Sequence, residues 1–184
     1  MMTQSAIAGF TSGTWQIDPT HSNISFSVRH LVTKFRGSFT DFAATLTTGE
    51  DVLDSSVSAD IKAASISTGN PDRDGHLRTP DFFDVENHPE LTFRSTAVRY
   101  DGDDLVVTGD LTLRGVTKSV DFQVEVGGIT TSPYGQTVLG IEADTTIKRE
   151  EFGLEWNSAL ETGGVLLGSD VKIHIEAEFV LDQQ

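Results

Sequence analysis

The chain contains no cysteine. That excludes disulfides, thiolate metal centres and thiol nucleophiles, and leaves the redox compartment open. Basic residues are scarce: 13 Lys and Arg stand against 28 Asp and Glu, a formal net charge of −15 with a pI ≈ 4.5. A nucleic-acid groove, or attachment to an anionic membrane surface, needs clustered Lys and Arg, so the composition argues against both. No apolar run reaches the length of about 18 residues that a membrane-spanning helix requires, so an integral membrane protein is not expected. Tyr and Trp number two each against 11 Phe, so most of the aromatic surface has no polar handle.

What remains is a globular balance. The chain has 184 residues, 37% hydrophobic and 22% charged, which suits one domain with a sizeable core and needs no metal as a staple. The first residues, Met1 to Gly13, carry neither Lys nor Arg nor an apolar stretch of signal-peptide length. The expectation is a loose leader over residues 1–13, a barrel domain over residues 14–184, and a cytoplasmic location.

Alternation with period two dominates, the mark of half-buried strands. Trp15 and Ile17 open it; Ile24, Phe26, Val28 and His30 share one face, then Phe35, Gly37 and Phe39. Phe42, Ala44 and Leu46 continue in the opposite parity, so a bend or bulge is expected between Phe39 and Phe42. Val57 to Ala63, Leu91 and Phe93, Leu105 to Leu113, Val120 to Val126, Leu139 to Ile147 and Val171 to Leu181 extend the pattern. Short connections such as Asp101-Gly102-Asp103 and Arg114-Gly115 make the sheet antiparallel. Eight or nine long strands cannot remain an open flat sheet, and strand length favours a closed barrel over a two-sheet sandwich. Residues 70–90 break the alternation. Asn70 suits an N-cap and Pro71 the first helical position, while Thr79-Pro80 repeats the signal, so one or two short helices are expected to cap one barrel mouth.

Catalytic signatures are weak. No Gly-x-Ser-x-Gly elbow is present, and His21, His30, His76, His88 and His174 lack the His-x-x-x-His spacing of a helical zinc site. Asn70, Asp72, Asp74, Gly75 and Asp81 partly match a calcium loop, but helix capping explains the same residues. Asp74 and His76, near Asp81, Asp84 and His88, offer acid–base groups; a solvated acidic loop with local hydrogen bonds is the favoured reading. His30 is either a core histidine or a polar point that orients a ligand headgroup. The phenylalanines are either core packing or the wall of a slim cavity, since an eight-stranded barrel allows both.

Several separated motifs together resemble the YceI-like family of polyisoprenoid-binding proteins. They are Trp15-Gln16-Ile17-Asp18-Pro19-Thr20-His21-Ser22, Ile24 to His30, Gly37-Ser38-Phe39, Arg73-Asp74-Gly75-His76-Leu77, Asp81-Phe82-Phe83, Gly109 to Lys118, and Arg149-Glu150-Glu151-Phe152-Gly153. The resemblance runs from about Trp15 to Asp182. It implies an all-β, eight-stranded antiparallel barrel of lipocalin-like shape, a long isoprenoid or similar amphiphile along its axis, and a homodimer. The reading that follows is a lipid-binding module for transport, storage or sequestration, not an enzyme. No cofactor, metal or catalytic residue is expected. The expected ligand-binding residues are Phe26, Val28, His30, Phe35, Phe39, Phe42, Phe82, Phe83, Phe93, Leu111, Leu113 and Phe152. The alternative is a His/Asp-dependent enzyme acting on a small apolar substrate at the barrel mouth.

Overall fold

The fold is taken from a computed structural model, which describes residues 7–161 and 163–183. Its strands are β1 (Gly13–Ile17), β2 (Asn23–His30), β3 (Thr33–Phe39), β4 (Phe42–Thr48), β5 (Ser56–Lys62), β6 (Ile66–Ser67), β7 (Glu90–Asp101), β8 (Asp104–Leu113), β9 (Val116–Thr131), β10 (Thr137–Lys148) and β11 (Leu167–Leu181). All pairings are antiparallel, and β1 closes the barrel by pairing with both β4 and β11. Trp15 lies opposite Leu46 on one side and Leu181 on the other. The closed ring is β1-β4-β5-β7-β8-β9-β10-β11, the expected eight-stranded antiparallel barrel. Closure leaves no free edge there.

In the other half of the barrel β2 and β3 replace β1 and β4 in the wall. β1 and β2 run in the same sense, separated by a short turn at Pro19–His21 that Asp18 caps through Thr20 N. β3 and β4 are likewise one bent strand. The bend expected between Phe39 and Phe42 is a break at Thr40 and Asp41, and both phenylalanines stay buried. Ladder irregularities also fall at Ser95/Ala97 and Gly140/Ile141, where the wall must curve.

Two inward glycines make room for rings. A Cβ at Gly37 would stand 2.5 Å from Phe26 Cζ. A Cβ at Gly109 would meet the Phe93 ring, with Cε2 at 2.7 Å, and also the Arg94 carbonyl oxygen at 2.7 Å. Each phenylalanine therefore lies over a bare strand position, which lets it fill the interior without pushing the wall outward.

The helix expected from Asn70-Pro71 is α1 (Pro71–Leu77), with Asn70 Oδ1 accepting from Asp72 N and Arg73 N. Thr79-Pro80 starts no second helix. Thr79 O accepts from Phe82 N and Asp84 N, so that stretch is a series of turns. The β8–β9 turn is pinned to this cap: Arg114 and Gly115 both adopt positive φ, and the Arg114 guanidinium donates to Phe82 O at 2.8 Å.

The loose leader expected up to Gly13 has residues 1–6 outside the described ones. The remainder runs along the barrel end opposite α1. Phe10 N donates to Ile7 O, Ser12 Oγ donates to Gly49 O, and Thr48 Oγ1 donates to Thr11 O. That part of the leader is bonded to the barrel because Thr48 and Gly49 offer groups at the strand ends that need partners.

Candidate functional site

Alternation along eight strands points their apolar faces to one axis, and the faces do not fill it. They enclose a cavity of about 290 Å³. Val28, Phe35, Leu167 and Arg149 line it toward the α1 end; Ile7, Phe10, Val52 and Ile129 line it at the other. Phe26, Phe39, Phe93, Leu111, Ile141 and Ile173 belong to the stretch between. The volume sits near the lower limit of about 300–1,000 Å³ usual for small-molecule pockets, which suits a slim chain better than a broad ring system.

Of the residues expected at the site, Phe26, Val28, Phe35, Phe39, Phe82, Phe83, Phe93, Leu111 and Leu113 line this cavity. His30, Phe42 and Phe152 do not. His30 is the last residue of β2, at the hairpin tip, and its ring stands edge-on to Phe35 with centroids 6.3 Å apart. Phe42 starts β4 just past the strand break and packs in the core. Phe152, 1% exposed, closes a helical turn at Arg149–Phe152 and is consumed by core packing.

Sequence reasoning missed other lining residues. Ile7 and Phe10 fall in the leader, where no periodicity marks them. Trp15 lines the cavity fully buried, its Nε1 donating to Thr48 Oγ1 at 2.9 Å. Arg149 did carry a signal. It shares the parity of Leu139, Ile141, Ala143 and Ile147 and so continues the inward face of β10.

Arg149 is the charged residue of this wall, 3% exposed. Its Nε donates to Gly168 O at 2.7 Å, and Nη1 to Leu154 O and Trp156 O at 2.7 and 2.9 Å. Burial pushes its pKa down, and the Glu150 carboxylate, 3.8 Å from Nη2, offsets part of that. Nη2 has no hydrogen-bond partner, and neither does Ser55 Oγ near the opposite end; among the described residues these are the buried side-chain polar atoms left unpaired. Both residues line the cavity. Buried polar atoms normally find partners, so these two stand out in an otherwise apolar wall.

The cap is held by its own chemistry. Asp74, 7% exposed, accepts from Thr68 N and Thr68 Oγ1 at 2.9 and 2.6 Å. Arg73 donates to Thr68 Oγ1 and Thr68 O and lays its guanidinium 4.7 Å over the Phe35 ring. His76 Nε2 lies 2.8 Å from Asp81 Oδ2, with its ring against Phe82 and Trp156. These groups tie α1 to the barrel rim. Among the described residues no His, Asp or Glu lines the cavity. Elsewhere, Asp18, His21 and Glu178 gather ligand atoms within 4.8 Å on the outer surface. There the hydrogen bond to Asp18 raises the His21 pKa.

Polar side chains such as Asp121, Gln123, Lys172 and His174 face outward, and apolar ones face the axis. This is the reverse of a membrane-spanning barrel, whose lipid-facing wall is apolar. No helix among the described residues is long and apolar enough to cross a membrane. A closed antiparallel barrel of eight strands around an apolar axial cavity has room for one small ligand. Comparison with known proteins gives the family: the chain matches the YceI-like domain over residues 15–179 and belongs to that family. A UPF0312 protein of Staphylococcus epidermidis is 40% identical over 171 residues, covering 91% of this chain and 98% of its own. Among solved structures, the YceI protein of Campylobacter jejuni superposes with a TM-score of 0.73 at 28% identity, over 84% of this chain and 90% of that one. A polyisoprenoid-binding domain from Saccharophagus degradans gives 0.71 at 17% identity, over 94% and 100%, and so shares the fold.

Proposed function

We propose that this protein binds a long apolar lipid, a polyisoprenoid or a similar long-chain amphiphile, along the barrel axis, for transport, storage or sequestration. The observation that carries this reading is the cavity, about 290 Å³, lined almost throughout by aliphatic side chains and phenylalanine. Family membership and the polyisoprenoid binding of the S. degradans domain support it. Affinity comes from burying the tail, at roughly 25 cal/mol per Å² removed from water. Arg149 Nη2 and Ser55 Oγ supply the polar contacts, which bias the choice of headgroup. Among the described residues no acid–base pair converges on the cavity to favour an enzyme.

The test is a titration with a fluorescent prenyl analogue after circular dichroism has shown each variant to be folded. Val28→Trp places a bulky ring at a 6%-exposed lining position and abolishes uptake. His30→Gln, outside the lining, retains it. Normal binding by Val28→Trp together with loss in His30→Gln would place the affinity in a polar contact and overturn the reading.

A further inference from the structure

The charge of −15 is unevenly spread. Most cations are engaged: Lys62 with Glu90, Arg94 with Asp60, Arg99 with Asp121, Lys148 with Asp170, and Arg73, Arg78, Arg114 and Arg149 with backbone carbonyls. Five have no such partner among the described residues: Lys118 stands on β9, and Arg29, Lys34, Arg36 and Lys172 share one outer face of β2, β3 and β11. The ladder places Arg29 directly opposite Lys34, and Ser27 between Arg36 on β3 and Lys172 on β11. Like charges at these positions repel across the sheet. Lys172 above all, then desolvation, with smaller contributions from Arg29 and Arg36, holds the Lys34 ammonium below its usual pKa. Carboxylates along this wall are occupied: Asp170 by Lys148, Asp144 by His174, and Asp121 by Thr108 and Arg99.

One rung beyond the Arg29–Lys34 pair, the β2–β3 hairpin ends in Leu31-Val32. A two-residue hairpin turn favours Asn and Gly. Here Leu31 takes a left-handed φ of 55° and remains 45% exposed, and Val32 is 88% exposed. Leu31 N donates to Leu166 O at 3.0 Å, which sets the tip beside Val165, 55% exposed. Leu31, Val32 and Val165 therefore project at the rim next to unpaired cations. Two rungs back from the His30–Thr33 pair that closes the hairpin, Val28 stands opposite Phe35, both in the cavity wall, so the tip stands at the capped end of the cavity.

We propose that the Leu31-Val32 tip and the basic wall beneath it dock this protein onto an anionic lipid bilayer, with the tip entering the headgroup layer and Arg29, Lys34, Arg36 and Lys172 meeting the lipid phosphates. Apolar side chains flanked by cations are what such an interface selects. Repulsion from the acidic remainder of the barrel is screened beyond about 8 Å at physiological ionic strength, so the touching patch decides. Docking there brings the capped mouth to the lipid surface. The proposal extends the carrier reading but is measured without it, because docking to vesicles and prenyl uptake are separate readouts.

The test is flotation of the full chain with phosphatidylcholine vesicles, with and without phosphatidylglycerol, at low and physiological salt. Salt-sensitive binding to the phosphatidylglycerol vesicles alone is expected. Lys34→Gln/Lys172→Gln weakens it roughly thirtyfold, by the usual contribution of a cation at an anionic surface. Leu31→Asn/Val32→Ser weakens it by about tenfold or more, and Asn tolerates the left-handed backbone at position 31. Neither double variant lowers the melting temperature or prenyl uptake of the parent, and Lys118→Gln binds vesicles like the parent. Absence of binding to phosphatidylglycerol vesicles at low salt overturns the proposal. So does equal weakening by Lys118→Gln. A parent dimer in solution that Lys34→Gln/Lys172→Gln splits, without vesicle binding, would assign the face to a second copy of the chain instead.

Discussion

Replacing Gly37 or Gly109 by alanine separates a side-chain clash from a backbone clash inside one barrel. A strand glycine free of neighbours would gain about 0.4–1 kcal/mol on substitution, because alanine restricts the unfolded chain. The structure reverses that sign at both positions. At Gly37 the new methyl carbon meets Phe26 Cζ at 2.5 Å, Phe26 Cε1 at 2.8 Å and Thr68 Cγ2 at 2.8 Å. Ordinary carbon contacts are about 3.5–4.0 Å, so the ring must retreat by about 1 Å, and it can do so only into the cavity it lines. Overpacking of this kind costs about 1–3 kcal/mol. At Gly109 the methyl carbon meets the Phe93 ring and also the Arg94 carbonyl oxygen at 2.7 Å, which cannot move without distorting β7. Gly109→Ala is therefore the costlier change, by about 1 kcal/mol or more over Gly37→Ala. Urea denaturation gives both costs. Phe26→Leu removes the two ring atoms that clash at Gly37 and leaves only the Thr68 Cγ2 contact, so Gly37→Ala/Phe26→Leu is more stable than the sum of the single changes predicts, and it leaves Gly109→Ala untouched. Equal or greater stability of Gly109→Ala relative to the parent would refute this reasoning, as would strict additivity of Gly37→Ala with Phe26→Leu.

Further outcomes follow from the polar anchors. Arg149→Met leaves the carbonyls of Gly168, Leu154 and Trp156 without their donor and lowers unfolding free energy by about 3–5 kcal/mol, read by urea denaturation. Asp74→Ala strips Thr68 N of its acceptor and loosens the cap, for about 1–3 kcal/mol by the same assay, while prenyl uptake persists. The hydrogen bond to Asp144, then that to Glu176, raises the His174 pKa above 6.5. A raised pKa makes its contribution fully present below about pH 6.5 and lost as pH climbs through the folded-state value. His174→Gln should thus cost most at about pH 5.5, with the difference from the parent shrinking as pH rises through the folded-state value. Solvent screening of this half-exposed group keeps the difference below about 1 kcal/mol.

Strand faces are legible in the sequence because burial on one side imposes period two, so alternation alone places Phe26, Val28, Phe93, Leu111 and Leu113 on the axis. The helix cap at Asn70 is legible for a local reason, since Asn70 and the amides it binds are adjacent in the chain. Thr79-Pro80 fails as a second helix start because Thr79 O is spent on turn bonds. Phe42 and Phe152 show the limit of residue type: the same ring fills core or lines a cavity depending on where its strand or turn stops. Parity has exceptions too. Thr145 falls between inward Ala143 and Ile147, yet its hydroxyl bonds Asp121 O. The cluster of Arg29, Lys34, Arg36 and Lys172 is hidden by averaging. Net charge sums the whole chain, whereas a surface acts through the few charges that register places side by side.

The claim that the cavity holds a long apolar chain is tested most directly by calorimetric titration of the delipidated protein with prenyl or alkyl amphiphiles of one headgroup and increasing tail length. Tail burial predicts that affinity rises by about fourfold for each methylene buried, then levels off once the cavity of about 290 Å³ is full, with a negative heat-capacity change throughout. Affinity that is independent of tail length would contradict the account.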